Sequence, residues 1–230
     1  MTTPSSTATA DAAPVWGREV VTELVNGRPS LVYRDRRRTV AEMLLDGRRW
    51  GQRTHVVQGE RRLSFIEHEH AVAVVAKWLR DRGIGVGDRV MLLARNRIEL
   101  GICFWAVQSL GAVVVFANAW WSAEDARILI EQTEPKIVIA DETTMNAVPE
   151  GVSVIDIADL EPLLDDQTPV ELALPDIGED EPAMVLFTAG STGTPKGVIW
   201  SQRALVNNMQ NLLGTSRRLP SDLPDDHEGS

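Results

Sequence analysis

The apolar positions of the chain fall into short blocks with two rhythms. Ala71, Val72, Val75, Trp78 and Leu79 recur at helical spacing and form one stripe. Ser64-Phe-Ile-Glu67 has capping-box spacing and opens that helix. Arg80, Asp81 and Arg82 close it just before Gly83. Thr39-Val-Ala-Glu42 has the same spacing and opens an earlier helical pattern. After the tight segment 83-GIGVGD-88 the rhythm changes to a β run, 89-RVMLLA-94. Residues 97–111 then predict a helix that is apolar nearly all round after its first turn, hence buried on most of its surface. The continuous run 112-AVVVFA-117 predicts a strand covered on both faces. Ser122 caps a helix over 123–132, and 136-KIVIA-140 and 152-VSVIDI-157 predict two more strands. Strands alternating with helices predict an α/β fold, a parallel-rich sheet flanked by helices. No internal repeat is present.

Toward the end of the chain, 183-AMVLF-187 and 197-GVIW-200 predict strands on either side of a loop. A helix follows from Ser201 to about Leu213, ended by Gly214. Residues 161–182, acidic and punctuated by prolines, predict a surface connection over the sheet. The expected organisation is a disordered or extended tail over 1–29, a body over 30–214 and a frayed polar tail over 215–230.

Composition narrows the function. The 230 residues carry a formal charge of −10, so a nucleic-acid partner is not expected. The single cysteine, Cys103, sits in the apolar run 102-ICFWAV-107; it reads as a small buried hydrophobe and allows no disulfide. The first residues, MTTPSSTATADAAP, lack the basic and apolar regions of a secretory signal, and no uncharged apolar span reaches membrane length. A cytoplasmic location is the expectation. His68 and His70 are two apart on a helix, the wrong spacing for a metal pair, and read with Glu67 and Glu69 as a solvated face. His55 and His227 have no partner in sequence, and no metal site is expected. Trp120 and Trp121 read as packing residues, with a ligand surface as the alternative; Asp88 and Asn96 read as turn residues.

The most informative stretch is 187-FTAGSTGTPKGV-198. It holds three glycines, four hydroxyls (Thr188, Ser191, Thr192 and Thr194) and one of the chain's only three lysines, which are Lys77, Lys136 and Lys196. Glycines let successive backbone N–H groups turn inward to cup an anion; hydroxyls add donors and the lysine adds a mobile charge. That set suits a triphosphate. A Walker-type loop is rejected: Pro195 stands where its second glycine belongs, and β-type residues follow the lysine. The dinucleotide fingerprint fails because the glycines fall at 190, 193 and 197. The remaining alternative is a glycine-rich hairpin turn with a solvated lysine.

These residues resemble the signature phosphate loop of the adenylate-forming superfamily of acyl-CoA synthetases, luciferases and peptide-synthetase adenylation domains. The likeness covers eleven positions, with Ala189 where the family often has serine. Two upstream blocks, 76–99 and 109–141, are also similar to the family, as is Asn118-Ala119-Trp120-Trp121 to a variant among fatty-acyl-CoA-ligase-like members. In all the resemblance spans about residues 30–214. It implies that Thr188, Gly190, Ser191, Thr192, Gly193, Thr194 and Lys196 contact the β- and γ-phosphates of ATP. It further implies magnesium, a carboxylic (fatty) acid substrate and CoA as thiol acceptor. The family's adenine- and ribose-binding motifs, hinge and small domain with a catalytic lysine do not occur after Gly197. The expectation is therefore an amino-terminal part, inactive alone, from a truncated gene product, a split protein or a cloned fragment. A non-catalytic half-domain that pairs with a separate carboxy-terminal chain is the alternative.

Overall fold

The computed structural model describes residues 16–188, 195–219 and 222. The chain divides into two units, Met1–Arg37 with Asn207–Ser230, and Arg38–Val206.

The smaller unit holds an antiparallel hairpin of β1 (Val20–Val25) and β2 (Arg28–Tyr33), with Val25 opposite Arg28. Asn26 and Gly27 make its two-residue turn with φ of 49° and 76°. Asn-Gly is the sequence that tolerates two left-handed residues. Residues 20–25, expected to be tail, form half of it. The span expected to fray is also partly tied down: Leu219 is 1% exposed and Arg18 bonds Asp222 at 2.5 and 2.7 Å. Buried Gln210 donates to the carbonyls of Gly17 and Asp35 at 2.7 and 2.9 Å. Arg36, also buried, grips Glu23 with two nitrogens.

The larger unit begins with α1 (Val40–Leu45), capped by Thr39, and an antiparallel pair of β3 (Thr54–Gln58) and β4 (Arg61–Ser64). Helix α2 (Phe65–Asp81) opens with the full capping box: Ser64 Oγ accepts from the Glu67 N–H, and the Glu67 carboxylate accepts from the Ser64 N–H. The alternating elements follow as β5 (Arg89–Leu93), α3 (Ile98–Ser109), β6 (Val113–Phe116), α4 (Ala123–Thr133), β7 (Ile137–Ala140) and β8 (Val154–Asp156). The short α5 (Glu161–Leu164) leads into the acidic connection, then β9 (Pro182–Thr188), β10 (Lys196–Ser201) and α6 (Gln202–Thr215). Helix α6 passes through Gly214 and ends at Thr215, two residues beyond the expected Leu213; Arg217 takes the left-handed φ of 54°.

The six-stranded sheet has the order β10-β9-β6-β5-β7-β8, all parallel except the antiparallel edge strand β10. Strand residues alternate between two cores, as a sheet covered on both faces requires. Val90, Leu92, Val114 and Ile139 pack with α2 and α3, while Met91, Leu93, Val115 and Val138 pack with Leu129 and Ile130 of α4. Cys103 is fully buried, and burial pushes its thiol pKa up, out of nucleophile range. A relay of polar side chains crosses this interior. Gln202 Oε1 accepts from the Val40 N–H at 2.8 Å, its amide donates to Gln108 Oε1 at 3.3 Å, and Gln108 donates to the Ala183 carbonyl at 2.8 Å.

The 83–88 turn is held as its residues predict. Asp88 accepts from the Gly85 N–H at 2.8 Å, and Lys136 bridges Asp88 and the Gly83 carbonyl at 2.8 and 2.6 Å. The histidine reading needs correction. His68 is 3% exposed, not solvated, and its ring meets the edge of His55 at 4.6 Å; His55 in turn lies 4.2 Å from Phe65. His70 bonds the Asp166 carbonyl at 2.8 Å.

Candidate functional site

The parallel strands all point their carboxyl ends to one edge of the sheet. In such folds ligands bind outside that edge, where strand order reverses. The chain runs from β5 outward to β6, then returns past β5 to β7, so the reversal lies between β5 and β7. A crevice of about 370 Å³ opens there, lined by Arg95, Asn96 and Arg97 after β5, Asp141 to Thr143 after β7, and Asp156 at the end of β8. Burial raises the Asp141 pKa, but Thr143 Oγ1, the Arg95 N–H and the Thr143 N–H all donate to the carboxylate and hold it at about 2. The Arg95 bond, at 2.8 Å, fastens the loop after β5 to the loop after β7. The crevice is lined by neither Thr188 nor Lys196.

The glycine-rich loop leaves the same edge from β9. Gly190, Ser191, Thr192, Gly193 and Thr194 lie outside the described residues. Its two ends are described: Thr188 closes β9, Lys196 opens β10, and the ladder sets them directly opposite each other. Thr188 Oγ1 lies 3.5 Å from the Lys196 carbonyl, and both residues are exposed. Lys77 pairs with Asp81 at 2.5 Å and Lys136 with Asp88, whereas the Lys196 ammonium makes no ion pair among the described residues. Gly197 follows in the ladder opposite Phe187, whose ring meets Trp121 edge-on at 6.0 Å. Trp121 therefore packs, as expected. Trp120 does not: it is 79% exposed, with the Arg95 guanidinium 5.2 Å from its ring.

No group of three or more His, Cys, Asp or Glu capable of holding a metal occurs among the described residues, and no described helix is long and apolar enough to cross a membrane.

This α/β sheet, whose parallel strand β9 is followed in sequence by a glycine-rich stretch and the antiparallel edge strand β10, shares its fold with solved N-terminal adenylation subdomains. The chain belongs to the AMP-binding enzyme family, whose model matches residues 45–226. It is 29% identical over 165 residues to the 2-succinylbenzoate–CoA ligase of Bacillus licheniformis, covering 68% of this chain and 34% of that protein. It is 27% identical over 164 residues to the indigoidine synthase of Streptomyces lavendulae, covering 70% of this chain and 13% of that one. The fold matches the N-terminal subdomain of Klebsiella oxytoca NpsA, solved in complex with 3-hydroxybenzoyl-AMSN. The TM-score is 0.63 at 23% identity, covering 71% of this chain and 41% of that one. The chain thus spans about a third or less of the length of these curated relatives. Its relatives are adenylate-forming ligases and its solved neighbours N-terminal adenylation subdomains.

Proposed function

We propose that this chain carries the triphosphate-binding loop of an acid-activating ligase. In this reading Thr188 and Lys196, with Gly190, Ser191, Thr192, Gly193 and Thr194 between them, contact the β- and γ-phosphates of ATP. The observation that carries it is the ladder register, which sets a lysine with no ion pair among the described residues opposite a threonine at the loop's base. An ammonium without a carboxylate partner keeps its charge available for a phosphate. In the proposed first step a carboxylate oxygen attacks the α-phosphorus of ATP, the bond to the bridging oxygen breaks, and pyrophosphate leaves. In the second, a thiol (CoA in the ligase relatives) attacks the acyl carbon and AMP departs. The loop's part is to position and stabilise phosphate charge. Magnesium would accompany the nucleotide; no residue of this chain is assigned to it.

The substrate is proposed only as a carboxylic acid. The relatives' names give no support to the fatty-acid expectation. The enzyme is proposed to be cytoplasmic. The second reading, a half-domain complemented by a separate carboxy-terminal chain, is favoured by one observation: β10 ends the sheet with Val198 and Ile199 exposed. Carboxylate-dependent ATP–pyrophosphate exchange tests both. These 230 residues by themselves are expected to give no exchange with a panel of aromatic and aliphatic acids, because residues 198–230 hold no match to the family's adenine- and ribose-binding motifs. Exchange clearly above that of a Lys196→Ala control would show that the chain activates acids unaided.

A further inference from the structure

We propose that Gly197 is a register key for β10, and that the absence of a side chain there keeps Lys196 on the correct face of the sheet. Cross-strand partners share a face. Trp200 lies opposite Met184 and Val198 opposite Leu186, and Met184, Leu186 and Trp200 pack into the core on the α3 side. By alternation Lys196 projects to that side as well. Gly197 faces the other way. It lies opposite Phe187, and Phe187 and Val185 belong to the core on the α4 side.

The slot at Gly197 is tight. A Cβ there would sit 3.0 Å from Val185 Cγ1 and 3.2 and 3.4 Å from two atoms of the Phe187 ring. Trp121 lies edge-on to that ring at an interplanar angle of 82°. Sliding β10 by one residue would bring Lys196 or Val198 opposite Phe187 and drive its Cβ into this slot. The same slip would carry Lys196 to the α4 face, since a one-residue shift inverts every side chain. Such protection matters here because β10 is an edge strand with a partner on one side only, and its register already shifts between Trp200 and Ser201. A ring against a glycine on the neighbouring edge strand is itself a device that pins register. Gly197, Phe187 and Trp121 are thus positioning residues for Lys196. The consequence for phosphate binding rests on the function proposed above; the key itself does not.

Hydrogen exchange read by mass spectrometry, without nucleotide, tests the key independently of that function. In Gly197→Ala, exchange in residues 196–201 is expected to rise at least threefold, while peptides from α2 and β5 keep their wild-type rates. Adding Val185→Ala, which removes the nearest of these atoms and lets the ring give way, is expected to restore the wild-type rate. Unchanged exchange in Gly197→Ala, uniform acceleration along the whole chain, or no restoration by Val185→Ala would each overturn the proposal. If Gly197→Ala alone does not fold, the double variant decides: a folded double variant supports the steric key, and an unfolded one overturns it.

Discussion

His68 shows how far one residue's role lies from its sequence neighbours. Between Glu67 and Glu69 it looks solvated, yet the turn of α2 carries it inward against His55. Burial first, then the neighbouring His55, pushes the His68 pKa from the usual 6.5 to about 4; burial also lowers that of His55. The sign follows directly. The unfolded chain binds the proton near pH 6.5 and the folded chain only near 4, so stability falls as pH drops through that window. From pH 7 to 5 the loss from His68 alone is about 2 kcal/mol. Carboxylates titrate mostly below this range, so the slope belongs to histidine. Urea unfolding at the two pH values is expected to show that loss, and His68→Leu to remove most of it. An unchanged slope in His68→Leu would place the titration elsewhere. The interior polar residues were equally silent in sequence. Nothing around Gln108 or Gln202 marks them as a buried relay, because their partners are 94 residues apart. The role proposed for Lys196, by contrast, rests on the sequence, where glycines and hydroxyls surround it.

At the scale of elements, legibility followed the length and regularity of the pattern. Helix α2 announces itself through both its stripe and its cap, and both form. Removing the cap oxygen strands N-terminal amides, so Ser64→Ala is expected to cost about 1 kcal/mol in denaturant unfolding with the m-value unchanged. A change below about 0.3 kcal/mol would mean that water replaces the cap without loss. The buried parallel strands were readable because a strand covered on both faces is a continuous apolar run. Strands β3 and β4 were not: Thr54–Gln58 and Arg61–Ser64 are mostly polar, and Val56 and Leu63 alone point to the core. Their pairing depends on the turn at Gly59, with φ of 59°, and on packing against α2, neither of which a periodicity reports. Hairpin β1–β2 was missed for a different reason. Its Asn-Gly turn is a strong local signal, but the polar tail before it masked the alternation of Val20 to Val25.

At the scale of the whole molecule, apolar surface is left open in both units. Leu24 and Leu31 are 73% and 75% exposed on one face of hairpin β1–β2. On β10, Ile199 is 67% and Val198 44% exposed, along a strand whose outer edge has no partner among the described residues. An exposed edge with apolar side chains is a template for another strand. The chain is therefore expected to self-associate in sedimentation velocity at modest concentration, and Ile199→Lys to reduce that association without altering the melting temperature. A monodisperse wild-type chain would show that the open edge is protected. Such openness accords with a chain that spans about a third of its 2-succinylbenzoate–CoA ligase relative.

The central claim is that the loop between Thr188 and Lys196 grips phosphate, and calorimetric titration of ATP with magnesium into wild type and Lys196→Ala tests it most directly. A lysine at an exposed loop base has few contacts to lose, so the substitution is expected to change stability by about 0.5 kcal/mol or less. Losing a charge-assisted contact to phosphate is expected to cost about 1.5–3 kcal/mol of binding, an affinity lower by roughly 10- to 150-fold. Equal affinity in the two chains, or no binding by wild type, would contradict the claim and leave the loop a glycine-rich hairpin turn with a solvated lysine.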